Sequence, residues 1–89
     1  MFRRAAEVAG EVGEMLNETK KLRRIQLGMP GNKADRDTRE KCVEALKYEA
    51  GDVLVTLLNL ANDAGFSLFD GVQVAFNTKS IQMNFPERL

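Results

Sequence analysis

Glu49 and Asp52 stand three residues apart in the stretch Cys42 to Ala64, CVEALKYEAGDVLVTLLNLANDA, which is otherwise dense in Leu, Val and Ala. At about 100° per residue the two carboxylates share one side of a helix, on a face continued by Thr56 and bordered by Cys42, Val53 and Leu60. A charge left unpaired in such a setting costs several kcal/mol, so basic side chains, a metal ion or local solvent must meet it. A second pair, Glu11 and Glu14, precedes it in the chain with the same spacing. Together they give ExxE followed by ExxD, four hard oxygen ligands that favour Mg²⁺ or Mn²⁺ over zinc or copper. With no histidine and one cysteine, Cys42, the sequence excludes the usual zinc sites and the Glu-x-x-His ligation of a di-iron bundle.

Two long helices would have to bring these pairs together. Residues 2 to 27 read as the first, with Ala5, Val8, Val12, Met15, Leu16 and Leu22 recurring at helical spacing. Beside that stripe Glu7, Glu11, Glu14 and Glu18 project within about 60° of one another. Rows of like charge usually face solvent, and that is the reading for Glu7 and Glu18. Lys20, Lys21, Arg23 and Arg24 load the last turns with positive charge, which complements the helix dipole. The loop GMPGNKADRD, Gly28 to Asp37, stops this helix. Asp37, with Glu40 three residues later, has the spacing of a capping box for the Leu- and Val-rich central helix, which should be buried around most of its circumference. A loop of this length makes the two helices antiparallel neighbours and can set Glu11 and Glu14 opposite Glu49 and Asp52. Gly65 reads as a left-handed cap, Ser67 and Asp70 as a second box, and Leu68 to about Met83 as a third helix, closed by Asn84, Phe85 and Pro86. Leu68, Val72, Ala75 and Lys79 share one face of it.

Composition sets outer limits. Eighty-nine residues, 44% of them hydrophobic, make one domain with a modest core, and chains of this size commonly complete that core by self-association. The expected fold is all-α, an antiparallel bundle of about three helices over residues 1–89, completed to a four-helix type in a homodimer or homotetramer. Phe2, Phe66, Phe69, Phe76, Phe85 and Tyr48 sit at spacings that a packed core explains. Thirteen basic and thirteen acidic residues leave no net field to draw the chain to nucleic acid or an anionic membrane. No apolar run reaches the roughly 20 residues of a membrane span, and no targeting segment is read, so a cytoplasmic location is expected.

The segments Ala9-Gly10-Glu11-Val12-Gly13-Glu14-Met15, Glu49-Ala50-Gly51-Asp52-Val53-Leu54 and Asn84-Phe85-Pro86 resemble the MazG-like all-α nucleoside triphosphate pyrophosphohydrolases. The resemblance spans about Ala6 to Phe85. It implies Mg²⁺-dependent cleavage of a ribo- or deoxyribonucleoside triphosphate between the α and β phosphates, with Glu11, Glu14, Glu49 and Asp52 holding the metal. It also implies that Asn77 helps to hold the nucleotide. Glu14, with Glu11 beside it, is the candidate for taking a proton from the attacking water. Lys20, Lys21, Arg23, Arg24 and Lys79 are candidates for the outer phosphates. Two departures stand out: only ten residues precede Glu11, where relatives carry a further helix, and Ala75 stands where many have lysine. From another class, the chain would be a non-catalytic helical interaction module, indifferent to Mg²⁺. A degenerate family member would bind Mg²⁺ without turnover.

Overall fold

Three α-helices and one short 3₁₀ turn make up the computed structural model, which describes all 89 residues and contains no strand. Helix α1 runs Phe2–Gln26, α2 Arg39–Ala64 and α3 Leu68–Gln82, and the 3₁₀ turn Ala34–Arg36 lies within the first connection.

All three helices stop in the same way. The chain turns left-handed at Gly28 (φ 67°), Gly65 (φ 82°) and Asn84 (φ 62°), and the next residue's amide reaches back five positions, Met29 to Arg24, Phe66 to Ala61 and Phe85 to Ser80. This closure caps the last carbonyls of a helix, and it needs a residue that tolerates positive φ, which glycine and asparagine do. Ser67 caps α3 as its spacing predicts, its Oγ accepting from the amide of Asp70. The start of α2 differs from expectation by one residue. Thr38, and not Asp37, is the cap and accepts from the Lys41 amide, while the Asp37 carboxylate is drawn 2.8 Å from Lys41 Nζ.

Helices α1 and α2 lie antiparallel along their length. Arg4 meets Asp63 at one end, Glu11 faces Glu49 and Asp52 midway, and Glu18 meets Arg36 at the other end. Their shared seam takes Val8, Val12, Met15 and Leu22 from α1, all at least half-covered, with Cys42 fully enclosed and Ala61 buried on α2. The expectation that α2 is buried on most sides is corrected here. Only its α1-facing side is covered, and Tyr48, Leu54, Val55 and Leu58 are exposed. Helix α3 touches α2 sparsely, beyond the tight turn at Gly65. Its Phe69, Val72, Val74, Phe76 and Ile81 are exposed, as are Phe2, Phe66 and Phe85, so the aromatic residues do not form a core within the chain.

The shape follows from that. The radius of gyration is 16.9 Å, against about 13 Å for a compact chain of 100 residues. The thinnest dimension is 16 Å, close to the thickness of one or two helices at about 10 Å each. Two packed helices bury one stripe of each, and a third that stands away adds little to that core.

Candidate metal centre

Antiparallel packing brings the two acidic motifs face to face. One carboxylate oxygen from each of Glu11, Glu49 and Asp52 lies within 4.8 Å of the others, and all three side chains are half-buried. Glu11 Oε2 and Glu49 Oε2 are shut off from solvent and accept no hydrogen bond. None of the chain's ion pairs involves these residues. Burial, then the neighbouring charges of Glu14, Asp52 and Glu7, push the Glu11 carboxyl above its ordinary value. Glu49 is raised likewise, by burial first and then by Glu14, Asp52 and Glu11. Two unsatisfied buried oxygens beside a third carboxylate form a costly arrangement that a divalent cation would relieve. The all-oxygen donor set suits Mg²⁺, and the site lies between two helices that share a packed seam.

Glu14 belongs to this cluster at its edge. It is exposed, lies outside the close triad and acts on Glu49 through its charge. Thr56, on the continuation of the face, turns its hydroxyl to the Val53 carbonyl at 2.8 Å. On the far side Asp52 borders a shallow depression of about 350 Å³, lined also by Glu44, Lys47, Tyr48, Gly51 and Val55.

The rest of the acidic row on α1 divides by partner. Glu7 takes Arg4 at 3.4 Å and remains near the surface. Glu18 does not face solvent: it is 7% exposed and receives Arg36 through Nε at 2.9 Å and Nη2 at 3.2 Å, with Lys21 Nζ at 3.1 Å. The Arg36 hydrogen bonds, with help from Lys21, hold the Glu18 carboxyl below its ordinary value despite burial. One face of one helix therefore carries two opposite electrostatic arrangements, a compensated carboxylate at Glu18 and an uncompensated one at Glu11. The sequence alone could not separate them, because Arg36 comes from the loop.

The basic candidates divide: Lys21 and Arg24 line one cavity with the first connection, and Lys79 stands apart on α3. Lys20 and Lys79 are exposed, and Lys79 borders an apolar hollow with Phe76, Ser80, Met83 and Phe85. Lys21 is engaged by Glu18, and Arg24 Nη1 donates to Asn32 Oδ1 at 3.2 Å. Asn77 is tied to the last residue of the chain: its Oδ1 accepts from the Leu89 amide at 2.8 Å, and its Nδ2 donates to the Leu89 carbonyl at 3.3 Å. Neither Asn77 nor Lys79 is brought to the carboxylates within this one chain. Asn32, Lys33 and Arg36 take positions set by the path of the loop, which no sequence periodicity encodes.

Comparison with protein-family models, curated proteins and solved structures finds no match to this chain. The functional reading therefore rests on the chain's own residues.

Proposed function

We propose that this chain is a Mg²⁺-dependent nucleotide pyrophosphohydrolase that converts a nucleoside triphosphate to the monophosphate and pyrophosphate, in nucleotide-pool housekeeping. The observation that carries the reading is the meeting of Glu11, Glu49 and Asp52 across the α1–α2 seam, with two carboxylate oxygens buried and unpartnered. The resemblance of the ExxE and ExxD segments supplies the substrate class.

Glu11, Glu49 and Asp52 would hold Mg²⁺, with Mn²⁺ as a substitute and Glu14 available as a further ligand. When bound, the ion supplies positive charge to the phosphate oxygens and lowers the pKa of the attacking water. Glu14, exposed at the rim and outside the close triad, would accept that water's proton. Attack at the α phosphorus forms a bond to the water oxygen and breaks the α–β anhydride bond, and pyrophosphate leaves. Exposed Lys20 and Lys79 would meet outer phosphates as mobile point charges.

The same reading includes self-association. Leu54, Val55 and Leu58 on α2 and Phe69, Val72, Val74 and Phe76 on α3 are exposed, apolar side chains of the kind that self-association covers. A second copy that offered the same surfaces would cover them in an isologous contact and complete a four-helix bundle. It would also supply the second α3 from which Asn77 and Lys79 could approach a carboxylate cluster. A cytoplasmic location goes with this substrate, and no helix is long and apolar enough to cross a membrane.

The test is pyrophosphate release from a panel of ribo- and deoxyribonucleoside triphosphates, with Mg²⁺ and with chelator, for the native chain and for Glu49→Gln with Asp52→Asn. Metal-dependent release that the double substitution abolishes is the expected result. Exposed apolar faces favour association whether or not the chain is an enzyme, so an interaction module is the second reading. No cleavage and no effect of Mg²⁺ on stability would select it.

A further inference from the structure

At the end of the α1–α2 pair remote from Arg4, the last turns of α1 and the connecting loop enclose a cavity of about 340 Å³ with no apolar lining residue. Lys21, Arg24, Lys33 and Arg36 line it together with Gly31, Asn32 and Asp35. Four cationic side chains face one carboxylate. Even with the adjacent Glu18 counted against Lys21 and Arg36, a surplus of two positive charges remains on a chain whose net charge is zero.

The wall is held in place by hydrogen bonds. Asn32 Nδ2 donates to the Lys21 carbonyl at 2.8 Å and to the Arg36 carbonyl at 3.0 Å, so one amide ties the helix to the far side of the loop. The oxygen of that amide accepts from Arg24 Nη1, which orients the guanidinium without neutralising it. Arg24 and Lys33 take part in no ion pair, and Lys33 makes no hydrogen bond through its side chain. An oriented guanidinium with free N–H groups and an unpaired ammonium on the same cavity wall suit an oxyanion in charge and in hydrogen-bond donors.

We propose that this loop cavity is a phosphate-binding site, separate from the carboxylate cluster and independent of metal, which takes a compact phosphate group through Arg24 and Lys33 with Lys21 in support. The group could come from free pyrophosphate or from the terminal phosphates of a nucleotide. Arg24 lies ten residues beyond Glu14, or about 15 Å along α1 at 1.5 Å per residue. The site stands whether or not the chain is a hydrolase.

Pyrophosphate is titrated by calorimetry in chelator against the native chain, Arg24→Gln, Lys33→Gln and Glu11→Gln, with chloride as the background salt. Binding to the native chain is expected, weakened at least about tenfold by Arg24→Gln and several-fold by Lys33→Gln, and unchanged by Glu11→Gln. Lys33 holds nothing together in the fold, so its substitution reports the site and not unfolding. Loss of binding in Glu11→Gln, indifference to both cationic substitutions, or no binding by the native chain would overturn the proposal. A non-hydrolysable nucleoside triphosphate, titrated in parallel, separates the sources. Tighter binding than pyrophosphate, still weakened by Lys33→Gln, assigns the terminal phosphates, and binding of pyrophosphate alone assigns the free anion. Hydrolase activity is read in a separate assay, so either proposal can fail without the other.

Discussion

Removing one carboxylate from the cluster should stabilise the metal-free protein and erase its response to Mg²⁺. The substitution is Asp52→Asn, which keeps the shape of the side chain and removes one of three charges whose oxygens lie within 4.8 Å. Asp52 is a cause of the raised pKa of both Glu11 and Glu49. A carboxyl with a raised pKa binds its proton more tightly in the folded state, so it favours folding at low pH and that contribution is lost as pH rises through the folded pKa. The metal-free native chain should therefore lose stability on going from acid to neutral pH through this cluster, and Asp52→Asn should lose less. Mg²⁺ should act in the opposite sense. Bound only by the folded state at one hundred times its Kd, it adds about 2.7 kcal/mol. At roughly 4–8 °C per kcal/mol for a domain of this size, that is a rise in Tm of roughly 10–20 °C. Scanning calorimetry at fixed protomer concentration, with Mg²⁺ or chelator, near pH 5 and near pH 8, reads all four arms. An equal Mg²⁺ response in the native chain and Asp52→Asn would refute the reasoning. So would a lower Tm for Asp52→Asn in chelator near pH 8, because the charge would then have been compensated by something else.

The other expectations test the frame around the site. Glu18→Gln should lower stability by about 2 kcal/mol at neutral pH, the scale of hydrogen bonds to a charged group. Because the Glu18 pKa is lowered, that difference should fade as pH falls through it, which urea denaturation at several pH values would follow. Gly65→Ala forces a side chain onto a left-handed residue at φ 82° and should cost about 1–2 kcal/mol, read as a lower urea midpoint with unchanged slope. Sedimentation should find the native chain as a dimer or larger, and Leu58→Asp, on the exposed side of α2, should shift it toward monomer. A native chain that stays monomeric and still melts cooperatively would remove the four-helix reading.

What the sequence made legible, and what it did not, follows the range of the interactions. Gly65 and Ser67 act on amides within a few residues, so the end of α2 and the start of α3 could be read directly. The Asp37 cap failed at the same range because two good cap residues are adjacent and Lys41 competes for the aspartate, leaving the backbone to Thr38. Glu11, Glu49 and Asp52 were legible as members of a group of four because two long helices joined by one loop pack antiparallel, whereas Glu14 of that group stands outside the close triad. Glu18 was not, since Arg36 reaches it from a 3₁₀ turn eighteen positions away whose path no periodicity encodes. The exposed face of α3 marks the limit. A helical wheel assigns Leu68, Val72 and Ala75 to one side but says nothing of which surface covers that side, and within one chain none does fully. Residues on α3 can join a carboxylate cluster only if another surface brings them there, which is why the places of Asn77 and Lys79 turn on association rather than on any feature of their own helix.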